Sequence, residues 1–191
     1  MLFAGGLLAG CQSPRALPPR ESGAIQSTRN NGYSLLHQLL AEQKDVSLLR
    51  FIRPEHADVK TLMKKIAANS GTGAALLEKF AKDDPAISLD DLQLPPAEQA
   101  TRDAIAATKK KELLSQSGGT FELTLLLTQT EALSYAWHLA EVTGENEPQP
   151  DRARALAGIS DDMKSLYQEV FELLLAKTQS APTNSIRFQP H

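Results

Sequence analysis

Apolar residues recur along most of this chain at spacings of three and four, and the recurrence predicts helices throughout. The cleanest stripe runs over residues 56–82. There Val59, Leu62, Met63, Ile66, Ser70, Gly73, Ala74, Leu77, Phe80 and Ala81 fall within roughly a third of the helical wheel. Ser70-Gly71-Thr72-Gly73 lies in mid-stripe. Each glycine costs about 1 kcal/mol relative to alanine in a helix, so a kink or a close helix contact is expected there.

A preceding helix is predicted over residues 33–52, with Leu36, Leu39, Leu40, Gln43 and Val46 on one face, His37 opposite and Glu42 at the boundary. Pro54 ends it. After Asp83-Asp84-Pro85 a loop leads through Leu94-Pro95-Pro96 to a helix over 97–116, with Pro96 in its first turn and Glu98 placed well against the helix dipole. Ser117-Gly118-Gly119-Thr120 interrupts that helix, which resumes near Phe121 and runs to about Val142. Its Leu123, Leu125, Leu126 and Leu127 are apolar nearly all round, and Leu133, Ala136, Trp137 and Ala140 then mark one inward face. Glu147-Pro148-Gln149-Pro150 makes a turn. The last helix, residues 151–177, carries Leu156, Ile159, Met163, Leu166, Tyr167, Val170 and Leu174. Gly158 marks a break in it, with Ser160 capping a restarted helix and Asp161 and Asp162 in its first turn.

Residues 12–32, rich in Pro, Ser, Asn and Gly, read as a flexible tether reaching roughly 25 Å. Residues 179–191 read as a disordered tail. No strand pattern competes, and no repeat of 20–50 residues stands out. The economical fold is all-α, an antiparallel up-down bundle of four main helices, one of them interrupted, over residues 33–178.

Composition narrows the function. With 191 residues, 41% of them hydrophobic, the chain can bury a core without staples. A net charge of -3 argues against a nucleic-acid partner, and Lys109-Lys110-Lys111 reads as a solvated helix face. After the first eleven residues no apolar run is long enough to span a membrane.

Those first eleven residues end in Leu7-Leu8-Ala9-Gly10-Cys11, and Cys11 is the only cysteine. Internal disulfides, CxxC motifs and multi-thiolate metal sites are thereby excluded. The stretch resembles the cleavage box of bacterial lipoprotein precursors. The resemblance implies a signal peptide over residues 1–10, cleavage between Gly10 and Cys11, a diacylglycerol on the Cys11 thiol and an N-acyl chain such as palmitate on the new terminus. It places the chain in the cell envelope, membrane-anchored and facing the periplasm. Gln12, rather than Asp, after the cysteine favours the outer membrane under the enterobacterial sorting rule. Met1-Leu2-Phe3 lacks the usual basic residues, so the reading places the true start upstream. The alternative is an ordinary apolar N-terminus with a buried or free cysteine.

The helical order carries a second resemblance, borne by Val59-Lys60, Leu62, Ile66 and Leu77 to Ala81, then Leu94-Pro95, then Gly119-Thr120-Phe121. Over residues 33–178 the chain resembles the ferritin-like domain of unknown function found in short exported bacterial proteins. The resemblance implies a ferritin-like bundle, and in many members Asp-His pairs suited to metal. This sequence departs there, with Asn69-Ser70 at the second-helix position and Gln43 on the inward face of the first helix. Met163, Leu166 and Tyr167 fill the inward face of the last helix and leave Glu169 and Glu172 turned away.

A ferritin-like di-iron centre takes Glu-x-x-His pairs, and the chain contains none. The nearest set is Glu131, His138 and Glu141, with Ser134, on one face of the fourth helix, spaced to hold a single ion with help from a neighbouring helix. The plainer reading is a solvated face. His37 and His56 read as surface residues and His191 lies in the tail. No Gly-x-Ser-x-Gly elbow, His-Glu-x-x-His helix or phosphate loop occurs. Asp83-Asp84, Asp90-Asp91 and Asp161-Asp162 are explained as caps.

The expectation is therefore a lipid-anchored envelope protein whose bundle is a non-catalytic binding or structural module, with the membrane as partner and room for an envelope protein partner. The alternative is a ferritin-like metal-binding or oxidative-stress-protective protein. A third is an oligomeric spacer, with the oligomeric state left open.

Overall fold

A computed structural model describes residues 23–45, 56–90 and 92–180. The described residues form five α-helices and no strand: α1 (Gly23–Lys44), α2 (Ala57–Asp83), α3 (Pro96–Ser115), α4 (Gly118–Glu145) and α5 (Pro150–Ser180). None of these helices is long and apolar enough to cross a membrane.

Four helices close a ring, in which α1 packs on α2 and α4, and α5 packs on α2 and α4. Pairwise contacts fix their directions. His37 meets Glu78 while Lys44 meets Gly71, so α1 and α2 are antiparallel. Lys65 pairs with Glu169 and Asp58 with Lys177, so α2 and α5 are antiparallel. Gly144 touches Leu156 while Glu122 reaches Lys177, so α4 and α5 are antiparallel. The centre of the ring is apolar, built from Tyr33, Leu36 and Leu40 with Met63, Ile66 and Leu77 from the first pair. Leu125, Leu126 and Leu133 with Leu156, Met163 and Val170 complete it from the second pair.

These directions make α2 and α4 parallel, so α3 must carry the chain back along the outside. It does so against α4, with Lys109 paired to Glu131 and the Arg102 guanidinium 5.2 Å from the Tyr135 ring centre. This corrects the expectation of one interrupted helix. The chain doubles back at residues 116–117, and Gly118 takes a left-handed φ of 59° to start α4, a conformation open to glycine and strained for other residues. The helix over Pro96–Ser115 buries only Leu113, because its alanines, threonines and lysines offer no continuous apolar stripe.

A second correction concerns the tether. Helix α1 begins at Gly23, ten residues before the expected start, so the second half of the expected tether is helical. Its polar residues are stabilised by tertiary partners, which local propensity does not register. Asn31 Nδ2 donates to the Leu92 carbonyl, Ser34 Oγ donates to the Ser88 carbonyl at 2.9 Å, and Gly32 lies directly against Thr143. The first part of the tether, Gly10 and Cys11, residues 46–52 of the predicted first helix, and residues 181–191 of the tail lie outside the described residues.

A third correction is at Gly158, where α5 continues without a break. The Leu156–Ile159–Met163–Leu166–Val170 stripe is buried across it, and that packing outweighs the roughly 1 kcal/mol glycine penalty. Asp161 and Asp162 are thus exposed mid-helix residues, not first-turn caps. Helix α2 likewise continues without interruption through Ser70–Gly73, and the close contact expected there is found. A Cβ on Gly73 would stand 3.0 Å from Leu40 Cδ1. Leu127, in the half of α4 that is apolar nearly all round, is 53% exposed.

Candidate functional site

Among the described residues the two buried carboxylates, Glu147 and Glu122, lie at opposite ends of the ring.

At the end where α1 and α5 start, the turn after α4 places Glu147 in the interior, its side chain fully buried. The turn itself is fixed by the Glu147 N–H donating to the Gly144 carbonyl and by prolines at 148 and 150. Glu147 Oε1 accepts from the Gln149 N–H at 2.8 Å and from Arg152 Nη2 at 2.9 Å. Its Oε2 accepts from the Tyr33 hydroxyl at 2.8 Å. The carboxylate sits at the α5 N-terminus, where the helix dipole favours negative charge. Arg152 Nη2 also lies 3.1 Å from Asp84 Oδ2, which brings in the end of α2. Burial, reinforced by the Glu147 carboxylate, pushes the Tyr33 hydroxyl well above its ordinary pKa. Burial works against the Arg152 charge, but Glu147 more than offsets it and holds the guanidinium protonated.

At the opposite end, Glu122 enters from the first turns of α4 with its side chain 1% exposed. His56 precedes α2, and its backbone N–H is one of the donors a helix start leaves without an internal partner. That N–H donates to Glu122 Oε1 at 2.9 Å. Glu122 Oε2 lies 2.8 Å from His56 Nδ1 and 3.2 Å from Lys177 Nζ, and Lys177 also reaches Asp58 Oδ2 at 3.4 Å. Burial alone would raise the Glu122 pKa. The His56 N–H, Lys177 and the His56 ring outweigh it and hold the carboxyl below its usual range. Asp58 is depressed in the same way, the Val59 N–H and Lys177 outweighing its slight burial.

Both carboxylates accept from donors on each oxygen, and each thereby clasps helices together. One clasp joins α1, α2 and α5, and the other joins α2, α4 and α5.

The residues singled out from sequence fare differently. Glu131 pairs with Lys109 of α3. His138 lies exposed, stacked on Trp137 at 4.1 Å, with Nδ1 2.8 Å from the Ser134 carbonyl, and Glu141 is exposed. Among the described residues no group of three or more His, Cys, Asp or Glu is placed to hold a metal ion. His37 stands at the α1–α2 seam, 3.2 Å from Glu78. His56, read as a surface residue, is 59% exposed and nonetheless anchors Glu122.

Sequence reasoning missed Glu122, Glu147, Tyr33 and Lys177. Glu122 left one signal, a lone charge directly after Phe121 and before Leu125 and Leu126 at positions that face inward. Glu147 left a weaker one, an acid just before a proline-started helix. Compared with family models, curated proteins and solved structures, the chain matches none.

Proposed function

We propose that this chain is a lipid-anchored protein of the bacterial cell envelope whose helical bundle is a non-catalytic binding or structural module. The observation that carries the reading is Leu8-Ala9-Gly10-Cys11, a lipoprotein cleavage box ending in the only cysteine of the chain. Two or three acyl chains at Cys11, each buried methylene contributing about 0.8 kcal/mol, hold a protein firmly on a bilayer. Gln12 favours the outer membrane facing the periplasm. The module reading draws support from the two buried carboxylates, whose oxygens are occupied by donors that tie helix ends.

The bundle is proposed to be of the ferritin-like four-helix kind. In support, two antiparallel helix pairs are joined by a single long crossover that contains α3.

Labelling expressing cells with a clickable fatty acid tests the anchor. The wild type takes up label and Cys11→Ser does not; equal label in both removes the reading. Metal analysis of protein refolded in iron or zinc tests the module. Stoichiometric metal that is lost in His138→Ala would replace the binding-module reading with the metal-binding one.

A further inference from the structure

We infer that the lipid anchor orients the bundle: the end where α1 starts faces the bilayer headgroups, and the end carrying His56, Glu122 and Lys177 faces away. The inference rests on lipidation at Cys11 and deepens that reading by naming the surface that meets the membrane.

The reach of the chain between Cys11 and α1 decides which end faces the bilayer. Twelve residue steps separate Cys11 from Gly23, where α1 begins. Whatever their conformation, these span at most about 40 Å. A flexible chain of that length averages roughly 20 Å. The register of α1 on α4 gives the length of the body, because Gly32 lies against Thr143. At about 1.5 Å per residue, Gly23 is roughly 13 Å beyond that level and Gly118 roughly 38 Å on the other side. The two ends are therefore about 50 Å apart along the axis. A bundle standing on its opposite end would hold Gly23 farther from the bilayer than the chain to Cys11 can stretch.

Lying flat is within reach, but no flank of the described residues stabilises it. An interfacial flank needs a basic polar face beside a broad apolar one. The chain is net acidic, and among the described residues the exposed large apolar side chains are divided among α1, α3, α4 and α5, with two on α3 and three on α4. The α2–α5 flank is occupied by the exposed Lys65–Glu169 pair. A body held by one end, with no adhesive side among the described residues, keeps that end nearest the surface. At the membrane-facing end the exposed acids Asp83 and Asp151 are paired with Lys79 and Arg154, so that end is held near the surface by the chain to Cys11 and not by its own charge.

The test uses full-length lipidated protein in phosphatidylcholine–phosphatidylglycerol vesicles carrying an acceptor dye on the headgroups. A donor is attached through a non-canonical azido residue at exposed Gln26 or exposed Ser115, which leaves Cys11 untouched. Energy transfer from position 26 is expected to exceed transfer from position 115 several-fold, and lengthening the chain between Gln12 and Ser22 with a Gly-Ser insert should narrow that difference. Equal or greater transfer from position 115, in protein that floats with the vesicles, overturns the orientation and leaves the anchor standing. A difference unmoved by the insert overturns the reach argument. Protein that does not float with the vesicles overturns the anchor and the orientation together.

Discussion

Tyr33 donates its hydroxyl proton to Glu147 at 2.8 Å, joining the first helix to the last turn across 114 residues of sequence, with both side chains buried. Removing the hydroxyl leaves Glu147 Oε2 without this donor in a site closed to water. Tyr33→Phe is expected to cost about 1–3 kcal/mol of folding stability at pH 7, read as a lower urea midpoint at unchanged m-value.

The same contact sets an alkaline limit. The folded pKa of Tyr33 lies above its ordinary value near 10, so its contribution is fully present below about pH 10 and is lost as pH rises from there toward the folded value. Unfolding midpoints followed from pH 8 to 11 should fall more steeply for the wild type than for Tyr33→Phe. Parallel curves would show that the hydroxyl is not the group responsible.

Glu122 sets the acid limit at the other end. Its folded pKa is depressed, chiefly because the His56 N–H and Lys177 outweigh the opposing effect of burial. Its stabilisation is therefore present above about pH 4.5 and lost as pH falls through the lower folded value. Glu122→Gln is expected to lose about 1–3 kcal/mol at pH 7, less than the 3–5 kcal/mol typical of a fully buried pair, because Lys177 and His56 can turn to solvent. As pH falls through that depressed folded value the variant and the wild type should converge. A gap that persists there would point to packing and not to charge.

How much of this was legible follows from how local the signal is. Eight residues of the α2 stripe, from Val59 to Leu77, are buried as the 3.6-residue period requires, since that period is written in the segment itself. The start of α1 was not legible. Asn30-Asn31-Gly32 reads as a breaker until Leu92, Ser88 and Thr143 are brought against the same turns. The direction of α3 was equally hidden, because Ser117-Gly118 is as consistent with an interruption as with a reversal. The carboxylate clasps depend on partners 66 and 114 residues away, and no window of sequence contains both members. What was legible at the candidate metal face was its composition; its use, Glu131 paired to Lys109, required the hairpin of α3 on α4.

Two glycines in helices should respond oppositely to the same substitution. A Cβ on Gly32 would fall 2.2 Å from Thr143 Oγ1, whose hydroxyl is held to the Leu139 carbonyl at 2.6 Å. Gly32→Ala gains about 1 kcal/mol of helix propensity but overpacks the α1–α4 contact at about 1–3 kcal/mol or more, for a net loss. Thr143→Ala should recover part of it, giving a coupling of about 0.5–3 kcal/mol in a double-mutant cycle. At Gly158 a Cβ meets nothing within 4 Å, so Gly158→Ala should raise stability by about 0.5–1 kcal/mol. Thermal unfolding of the wild type, the three single variants and the double variant distinguishes contact from propensity.

Ser70 sits fully buried in the α2 stripe, and its Oγ has no hydrogen-bond partner. Two residues on, Thr72 shows the usual remedy for a helical hydroxyl, donating to the Ala68 carbonyl at 3.0 Å. A buried hydroxyl left unmade costs about 1–3 kcal/mol by mutational measures, and alanine is the better helix former. Ser70→Ala should therefore be neutral or stabilising by up to about 1 kcal/mol, since the small methyl leaves little cavity. Calorimetric unfolding of the variant decides it. A loss of more than about 1 kcal/mol would mean that the hydroxyl is satisfied by an internal water, which a polar interior site can hold where the protein supplies the remaining partners. The unpartnered Oε1 of buried Gln129 would then be the next group to substitute.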